Sequence, residues 1–233
     1  MKVLVTRPIE DAEKTAGEVE SRGHGAVIAP LMKILFRIGP DIAMDNVQAV
    51  LATSANGVRA LAMRTARRDI PVYAVGPQTA EAARNVGFQI VKHANGDSGA
   101  LVEAVAKWAR PQLGTLLHAS GVKTKGDVAR QLAAVGFSVR TEPLYEAIAV
   151  ETLPSTACKA LASGEIDAVL VYSPRSAEIF AACTVRAGFA NVCKKIDALC
   201  ISRAAANALA PLQFHAVRVA ERPNEDDLLA LLE

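Results

Sequence analysis

Short apolar runs rich in valine, isoleucine and leucine alternate along the chain with segments of helical periodicity. Ten of these runs are predicted to be strands, from KVLVT near the start to AVRVA near the end. Helices are predicted over about 8–23, 54–66, 77–87, 97–109 and 123–135, and from residues 174, 203 and 224 onward. Strands that alternate with helices are typical of parallel sheets joined by crossover connections. The pattern predicts an α/β protein, and ten strands are too many for one compact sheet in 233 residues.

Two segments of the chain each occur twice. The matching pairs are 3–34 with 116–147, and 49–62 with 168–181. The chain therefore runs as a first unit, a second unit, a copy of the first and a copy of the second, which indicates two similar domains. Either neighbours in sequence pair into consecutive domains, or the first and last units pack together and the middle two form an inserted domain.

The segments that leave the first unit and its copy favour the insertion. LMKILFRIG (31–39) and LYEAIAVE (144–151) are extended and mostly apolar, and they occupy equivalent ends of the two repeats. They could run side by side as a two-stranded hinge, whereas RPQLG (110–114) is typical of a connection inside a domain. The predicted domains are 1–35 plus 150–233 for domain 1 and 39–147 for domain 2, with linkers at about 36–38 and 148–149.

Charge and hydropathy exclude several classes of partner. The chain has 26 Lys and Arg against 24 Asp and Glu, and a net charge of +2 is too small and too dispersed to indicate a nucleic-acid or membrane partner. No apolar run approaches the roughly 18 to 20 residues that span a bilayer. The start, MKVLVTRP, enters a strand pattern directly and lacks the apolar core of a signal peptide. These features predict a cytoplasmic protein.

Cofactor and metal motifs are not indicated. The four cysteines form no C-x-x-C pair, so neither a zinc site nor a disulfide framework is expected. The sequence has no G-x-x-x-x-G-K-[ST] loop, and no G-x-G-x-x-G follows the first strand. The four histidines are dispersed, and the acidic run 225–227 is expected to complement the dipole of the last helix.

Polar turns follow most of the predicted strands. In open parallel sheets, ligands bind beyond the carboxyl ends of the strands, where helix N-termini present free N–H groups. For any one turn residue taken alone, a helix cap is the favoured interpretation, since Ser, Thr and Asn commonly have that role. Taken together, the turns predict a cleft between two sheets that binds a small anionic molecule. The turns concerned lie at 6–8, 53–57, 76–79, 95–98, 119–121, 172–176, 202–203 and 223–224.

Six short motifs, in this order and spacing, give the chain a family resemblance. They are VLVTRP (3–8), TSANGV (53–58), YAVGPQTA (73–80), LLHASG (116–121), PLYEA (143–147) and VYSPRSA (171–177). With them the chain resembles the uroporphyrinogen-III synthase family from end to end. The resemblance implies two flavodoxin-like α/β domains, one inserted into the other and joined by a two-stranded linker, with no cofactor and no metal.

The resemblance also implies a reaction. The substrate would be hydroxymethylbilane, a linear tetrapyrrole with eight carboxylates, which loses its terminal hydroxyl as water and closes with inversion of ring D. Without the enzyme the bilane closes to the uninverted isomer. Catalysis should therefore come mainly from holding the substrate in a folded conformation.

The resemblance assigns roles to particular residues. Tyr145 would help the hydroxyl leave, although a linker tyrosine that only packs its ring is the alternative. One departure is the segment 202–206, SRAAA, where the family often has Gly-Pro-x-Thr-Ala, and its contacts are in doubt. The implied substrate-binding residues are Thr6, Arg7, Ser54, Asn56, Gly76, Thr79, Ser120, Gly121, Ser173, Arg175 and Ser176.

Two other functions remain open at this point. A hinged cleft could belong to a non-catalytic binding protein for an anionic metabolite. The altered turn at 202–206 also allows a divergent paralogue that has kept the fold and lost the activity. A monomer is the expected oligomeric state.

Overall fold

The structure, a computed structural model, describes residues 1–123 and 127–233. Within them the chain forms two compact units, one made of Met1–Lys33 with Ile148–Glu233 and the other of Ile34–Ala147. Each unit is built on its own sheet of mostly parallel strands. The predicted α/β class with parallel sheets is confirmed.

The first unit has a five-stranded sheet in the order β11-β10-β9-β1-β2. Counted within the unit, this is the 2-1-3-4-5 order of flavodoxin-like sheets. Its strands are β1 (Lys2–Val5), β2 (Gly25–Ile28), β9 (Ala168–Val171), β10 (Asp197–Cys200) and β11 (Ala216–Val219). Its helices are α1 (Ile9–Ser21), α6 (Ser155–Ser163), α7 (Pro174–Arg186), α8 (Ala190–Cys193), α9 (Arg203–Asn207) and α10 (Glu225–Leu229), followed by a 3-10 turn (Ala230–Leu232).

The second unit has a six-stranded sheet in the order β3-β8-β7-β4-β5-β6. Its strands are β3 (Met32–Phe36), β4 (Val47–Ala52), β5 (Val72–Ala74), β6 (Val91–His93), β7 (Thr115–Gly121) and β8 (Val139–Ala149). Its helices are α2 (Ala55–Ala62), α3 (Pro77–Asn85), α4 (Ser98–Trp108) and α5 (Val128–Ala134), with a 3-10 turn (Pro111–Leu113) before β7. Apart from β3, its strands follow the same order as their sequence repeats in the first sheet.

Both sheets are covered on both faces, which explains the apolar strands. In β1, Leu4 packs into one core cluster while Val3 and Val5 pack into another on the opposite face. In β4, Val50 and Leu51 likewise belong to different clusters. Successive side chains of a strand point to opposite faces, so a strand buried on both sides must be apolar throughout.

The segments that were predicted to form a hinge are paired strands. β3 lies beside β8, with hydrogen bonds from the Arg37 amide to the Leu144 carbonyl at 2.8 Å and from the Val150 amide to the Leu31 carbonyl at 3.0 Å. Residue numbers rise along one strand as the numbers of the paired residues fall along the other, which is the register of an antiparallel pair. β3 is thus a strand in addition to the ten that were predicted.

Two helices in the first unit were not predicted. Helix α6 starts after Pro154 and ends at Gly164, whose φ of 72° is the left-handed conformation typical of a helix C-cap. Its short apolar face, Ala157, Ala160 and Leu161, is buried. The mixture of Ser, Thr and Ala in nine residues gives too weak a periodicity to predict this helix from sequence. The second is the four-residue α8. In the second unit, part of the helix predicted over 123–135 falls at residues 124–126, outside the described residues.

Candidate functional site

Most of the predicted site residues lie at or just after the carboxyl ends of parallel strands, and Tyr145 lies within β8 beside Gly121, the last residue of β7. Parallel strands end together, so residues that are distant in sequence are brought to the same edge. In the second unit the adjacent strands β8, β7, β4 and β5 bring together Tyr145, Ser120, Gly121, Ser54, Asn56, Gly76 and Thr79. In the first unit the adjacent strands β1 and β9 bring together Thr6, Arg7, Ser173, Arg175 and Ser176.

Helix α2 begins directly after β4 and packs closely on β7. Ser54 is its N-cap, and the Ser54 hydroxyl accepts a hydrogen bond from the Asn56 amide at 3.2 Å. The side chain of Asn56 is buried, and its Oδ1 accepts a hydrogen bond from Arg59 Nη1 at 2.9 Å. A Cβ on Gly57 would lie 2.4 Å from the Ala119 carbonyl oxygen, so only glycine allows this approach.

Helix α3 begins after β5 with an open N-terminus. Gly76 is its N-cap, with φ −153° and ψ 177°, and Pro77 occupies the first turn. A Cβ on Gly76 would meet nothing within 4 Å, and its extended backbone suits any residue, so the packing of the described chain does not require glycine there. Thr79 is buried, and its hydroxyl makes no hydrogen bond with residues 1–123 or 127–233.

The end of β7 carries two further predicted residues. Ser120 is buried and donates its hydroxyl hydrogen to the Glu142 carbonyl at 3.1 Å, so this side chain holds β8. Gly121 is the cross-strand partner of Tyr145. The Tyr145 ring is half-buried against the core of the second unit, and its hydroxyl makes no hydrogen bond with any residue that the structure describes.

A buried imidazole lies below the same edge. His118 on β7 is almost fully buried, and its Nε2 is 3.3 Å from the hydroxyl oxygen of Thr53. Burial lowers the pKa of His118, because the charged form loses its hydration. The ring is therefore neutral around pH 7 and ties the end of β4 to β7.

In the first unit, Arg7 is at the centre of a buried network. Its Nη1 donates to Glu225 Oε1 at 2.8 Å, and its Nη2 lies 3.1 Å from Asp11 Oδ2. The guanidinium carbon is 4.4 Å from the centroid of the Tyr172 ring. Tyr172 and Thr15 also donate hydrogen bonds to Glu225 Oε1, at 3.0 and 2.6 Å.

The network determines the charge state of its members. Burial opposes the charge of Arg7, but the carboxylates of Asp11 and Glu225 outweigh it and raise the pKa of Arg7. Burial raises the pKa of Tyr172, and the Glu225 carboxylate raises it further. Arg7 is therefore a cation compensated by two carboxylates of its own unit. Thr6, next to it, donates its hydroxyl hydrogen to the Leu170 carbonyl at 2.8 Å.

The sequence reasoning missed the contribution of Glu225 and Tyr172. Glu225 was interpreted only as a dipole partner in the first turn of α10, and its contact with Arg7 spans 218 positions of sequence. No local pattern reports such a contact. Tyr172 could have been noticed, because it directly follows β9 and precedes the cap of α7.

Helix α7 begins with a capping box. The Ser173 hydroxyl accepts a hydrogen bond from the Ser176 amide at 3.0 Å, and the Ser176 hydroxyl accepts one from the Ser173 amide at 3.1 Å. Both hydroxyls therefore satisfy backbone groups of the helix. Arg175, between them, is half-buried in the first turn.

In the altered segment 202–206, Ser202 still caps α9. Its hydroxyl accepts a hydrogen bond from the Ala205 amide at 3.3 Å.

The capping box gives a stability prediction. We expect Ser173→Ala to lower the free energy of unfolding by about 1 kcal/mol, because the Ser176 amide loses its acceptor at the buried start of α7. Urea denaturation measures the change. Ser173→Thr keeps the acceptor and should remain within about 0.5 kcal/mol of the unsubstituted protein. Equal losses in the two variants would show that the cap contributes nothing.

The described residues contain neither a metal-binding cluster nor a membrane-spanning helix. Among residues 1–123 and 127–233, no three His, Cys, Asp or Glu side chains lie close enough together to hold a metal ion. In the same part of the chain, no helix has the length and apolar character needed to cross a bilayer.

Known proteins resemble the chain over nearly its whole length. Residues 13–230 match the family model HEM4, described as uroporphyrinogen-III synthase HemD. A crystal structure of uroporphyrinogen-III synthetase from Helicobacter pylori is similar, with a TM-score of 0.66 and 13% identity over 99% of this chain and 97% of that one. A mutant uroporphyrinogen III synthase from Thermus thermophilus gives a TM-score of 0.53 and 19% identity over 100% and 97%. No curated protein sequence matches the chain.

Proposed function

The chain belongs to the uroporphyrinogen-III synthase family, and we propose that Tyr145 and the polar turns at the carboxyl edges of its sheets carry out the reaction of that family. The chain cyclises hydroxymethylbilane to uroporphyrinogen III, with loss of water and inversion of ring D. The match of the family model to residues 13–230 carries this conclusion. That match also disfavours a non-catalytic binding protein.

The polar turns are proposed to hold the carboxylates of the substrate chiefly through backbone amides and a few side chains. Most of the predicted hydroxyls already have partners, since Ser54, Ser173 and Ser176 cap helices while Thr6 and Ser120 bind strand carbonyls. These residues shape the turns, and the helix N-termini they begin favour anions. The same reasoning makes Arg7 a fixed part of its turn, because Asp11 and Glu225 already compensate its charge.

Direct contacts with the substrate are proposed for four residues at the starts of α2, α3 and α7. Gly76 leaves open space where a side chain would stand, and the hydroxyl of the neighbouring Thr79 has no hydrogen-bond partner among the described residues. Both lie at the N-terminus of α3. Asn56 at the start of α2 and Arg175 at the start of α7 complete the proposed set, Arg175 supplying a guanidinium that can bind a carboxylate through two donors.

Tyr145 is the proposed catalytic residue. Its hydroxyl is at the carboxyl edge of the second sheet and is free of hydrogen bonds to described residues, so it can donate one to the departing hydroxyl of the bilane. Once that group has left, the bilane is reactive without further help. The protein then needs only to hold the chain so that the substituted carbon of ring D meets the cationic carbon.

The decisive experiment supplies freshly prepared hydroxymethylbilane to the purified protein and separates the uroporphyrinogen isomers. We expect type III to predominate, whereas buffer alone gives type I. A ratio of type III to type I no better than buffer would identify the chain as an inactive paralogue, the alternative that the segment 202–206 keeps open.

Removal of the tyrosine hydroxyl gives a sharper prediction. We expect Tyr145→Phe to lower kcat about tenfold, because a hydrogen bond to the leaving group contributes about 1.4 kcal/mol in the transition state. The fraction of type III product should change little, since the substrate is folded by the turns. Steady-state assays with isomer separation measure both quantities.

Tyr73→Phe is the matched control for Tyr145→Phe. It removes a tyrosine hydroxyl from the same sheet, where Tyr73 lies on β5 and donates only a long 3.4 Å hydrogen bond to the Trp108 carbonyl. This control should keep its kcat within about twofold of the unsubstituted protein, a loss of at most about 0.4 kcal/mol in transition-state binding. If Tyr145→Phe behaves in the same way, Tyr145 has no catalytic role.

A monomeric state and a cytoplasmic location are proposed from the sequence alone. Size-exclusion chromatography with light scattering tests the first, and fractionation of the producing cell tests the second.

A further inference from the structure

The geometry points to Gly121 as a positioning residue for Tyr145, one that acts through the bulge that precedes this tyrosine on β8. This inference rests on the catalytic role proposed for Tyr145 and gives Gly121 a different role from substrate binding. A glycine on β7 and an extra residue on β8 together fix the position of the Tyr145 hydroxyl.

The first observation is an irregularity between β7 and β8. Ser120 pairs with Pro143, but Gly121 pairs with Tyr145, so Leu144 is one residue more than the neighbouring strand has. The bulge is held from both sides. The Val122 amide donates to the Tyr145 carbonyl at 2.8 Å, while the Leu144 carbonyl accepts from Arg37 on the other neighbouring segment, also at 2.8 Å.

The bulge changes the direction of a side chain. Consecutive residues of a regular strand point to opposite faces of the sheet. Here Leu144 is buried in the core cluster that contains Leu117 and Ala119, and Tyr145 packs against the same cluster. An inserted residue shifts the alternation by one and re-aims the residues after it, so it brings Tyr145 onto the face that Gly121 occupies.

The second observation is the space over Gly121. A Cβ built on Gly121 would lie 3.0 Å from Cζ of Tyr145 and 3.3 Å from its Oη and Cε2. These atoms form the reactive end of the side chain. The φ of Gly121 is not positive, so its backbone would accept any residue. The need for glycine therefore comes from the tyrosine ring and not from the conformation of the chain.

A side chain at position 121 would displace the hydroxyl of Tyr145 with little change elsewhere. The ring must move by a few tenths of an ångström to accept a methyl group. A misplacement of about 1 Å can lower the rate about a hundredfold, so a shift of a few tenths of an ångström is expected to lower it by a smaller factor. A shift of this kind lowers kcat without requiring that substrate binding weaken, because the turns at α2 and α3 stay in place.

A double-substitution experiment tests the inference on the full-length protein. Gly121→Ala, Tyr145→Phe and the combined variant are compared for kcat, KM and free energy of unfolding. We expect Gly121→Ala to lower kcat about threefold to tenfold with KM within about twofold, a loss of about 0.6 to 1.4 kcal/mol in transition-state stabilisation. In the Tyr145→Phe background it should lower kcat by less than about twofold, since no hydroxyl remains to be displaced.

The comparison separates positioning from packing. A phenylalanine ring meets the same methyl group, so a purely steric loss of stability appears equally in both backgrounds, whereas the kcat effect requires the hydroxyl. Gly25→Ala is the matched control in a strand. Its Cβ would meet Lys2 Cγ at 3.3 Å, a flexible and solvent-facing chain, so kcat should be unchanged.

Each of four results would overturn the inference. Gly121→Ala with full kcat does so, as does a kcat loss that multiplies with that of Tyr145→Phe. If Tyr145→Phe itself keeps full kcat, the catalytic role proposed for Tyr145 fails and this inference fails with it. If Gly121→Ala folds poorly, it is combined with Tyr145→Leu, which removes the end of the tyrosine ring. The free energy of unfolding of this double variant should equal that of Tyr145→Leu alone. A double variant that is still less stable than Tyr145→Leu would show that the ring is not what position 121 contacts.

Discussion

Replacement of Gly57 by alanine should lower the free energy of unfolding by about 3 kcal/mol, the upper part of the range for overpacking a rigid core. The added Cβ would lie 2.4 Å from the Ala119 carbonyl oxygen and 3.2 Å from its carbon. Both atoms belong to the backbone of the central strand β7, so no side chain can move aside. Helix α2 would have to lift from the sheet, and its buried Val58 and Leu61 would lose contacts in the core.

Gly17→Ala is the matched control for this prediction. Gly17 lies in the interior of helix α1, is exposed, and has nothing within 4 Å of a built Cβ. Alanine there should raise the free energy of unfolding by about 0.5 to 1 kcal/mol, because it loses less backbone freedom than glycine on folding. Urea denaturation of both variants measures the difference. Free energies within 1 kcal/mol of each other would show that α2 does not lie against β7 as described.

Replacement of Glu225 by alanine should cost about 3 kcal/mol of unfolding free energy. Its Oε1 accepts hydrogen bonds from Arg7, Thr15 and Tyr172, and all three donors would lose that acceptor in a largely buried site. Removing one member of a buried, hydrogen-bonded ion pair leaves the others incompletely paired, which is more costly than the pair itself is stabilising. The turn after β1 and the start of α10 should loosen together.

Asp226→Ala provides the comparison for Glu225→Ala. It removes a carboxylate from the next position of the same helical turn, but Asp226 is exposed. Its loss should cost less than about 1 kcal/mol, which is the magnitude of a dipole interaction at the surface. Thermal and urea unfolding at matched pH measure both variants. Similar losses would mean that the buried network contributes nothing beyond the helix dipole.

Local patterns predicted the elements of this fold because those patterns have a physical period. Strands buried on both faces must be apolar at every position, and helices between them show one apolar face, so the α/β class was readable from sequence. The extra strand β3 was not counted among the ten strands, because the segment 31–39 was expected to run beside 144–151 as a two-stranded hinge. Its membership of the six-stranded sheet, as an edge strand, follows from its pairing with β8.

The candidate site was predictable to the extent that turn residues follow strands. Ser54, Gly76 and Ser173 were recognisable as the first residues of helices, because parallel strands end at one edge of the sheet and the following helices begin there with caps. The contact between Arg7 and Glu225 was not predictable. Arg7 carries the same charge and the same turn position whether or not a carboxylate lies beside it. The carboxylate of Glu225 arrives from the far end of the chain.

The sequence by itself determined the class of fold, the repeated units and the family, because these depend on local periodicity and on motifs in order. The tertiary structure decided which polar groups are engaged and where Tyr145 points. It determined the ion pair between Glu225 and Arg7, the close approach of the Ala119 carbonyl to Gly57, and the one-residue bulge before Tyr145. Those contacts join residues that are far apart in sequence, and a contact between distant segments is set by packing, which no local period encodes.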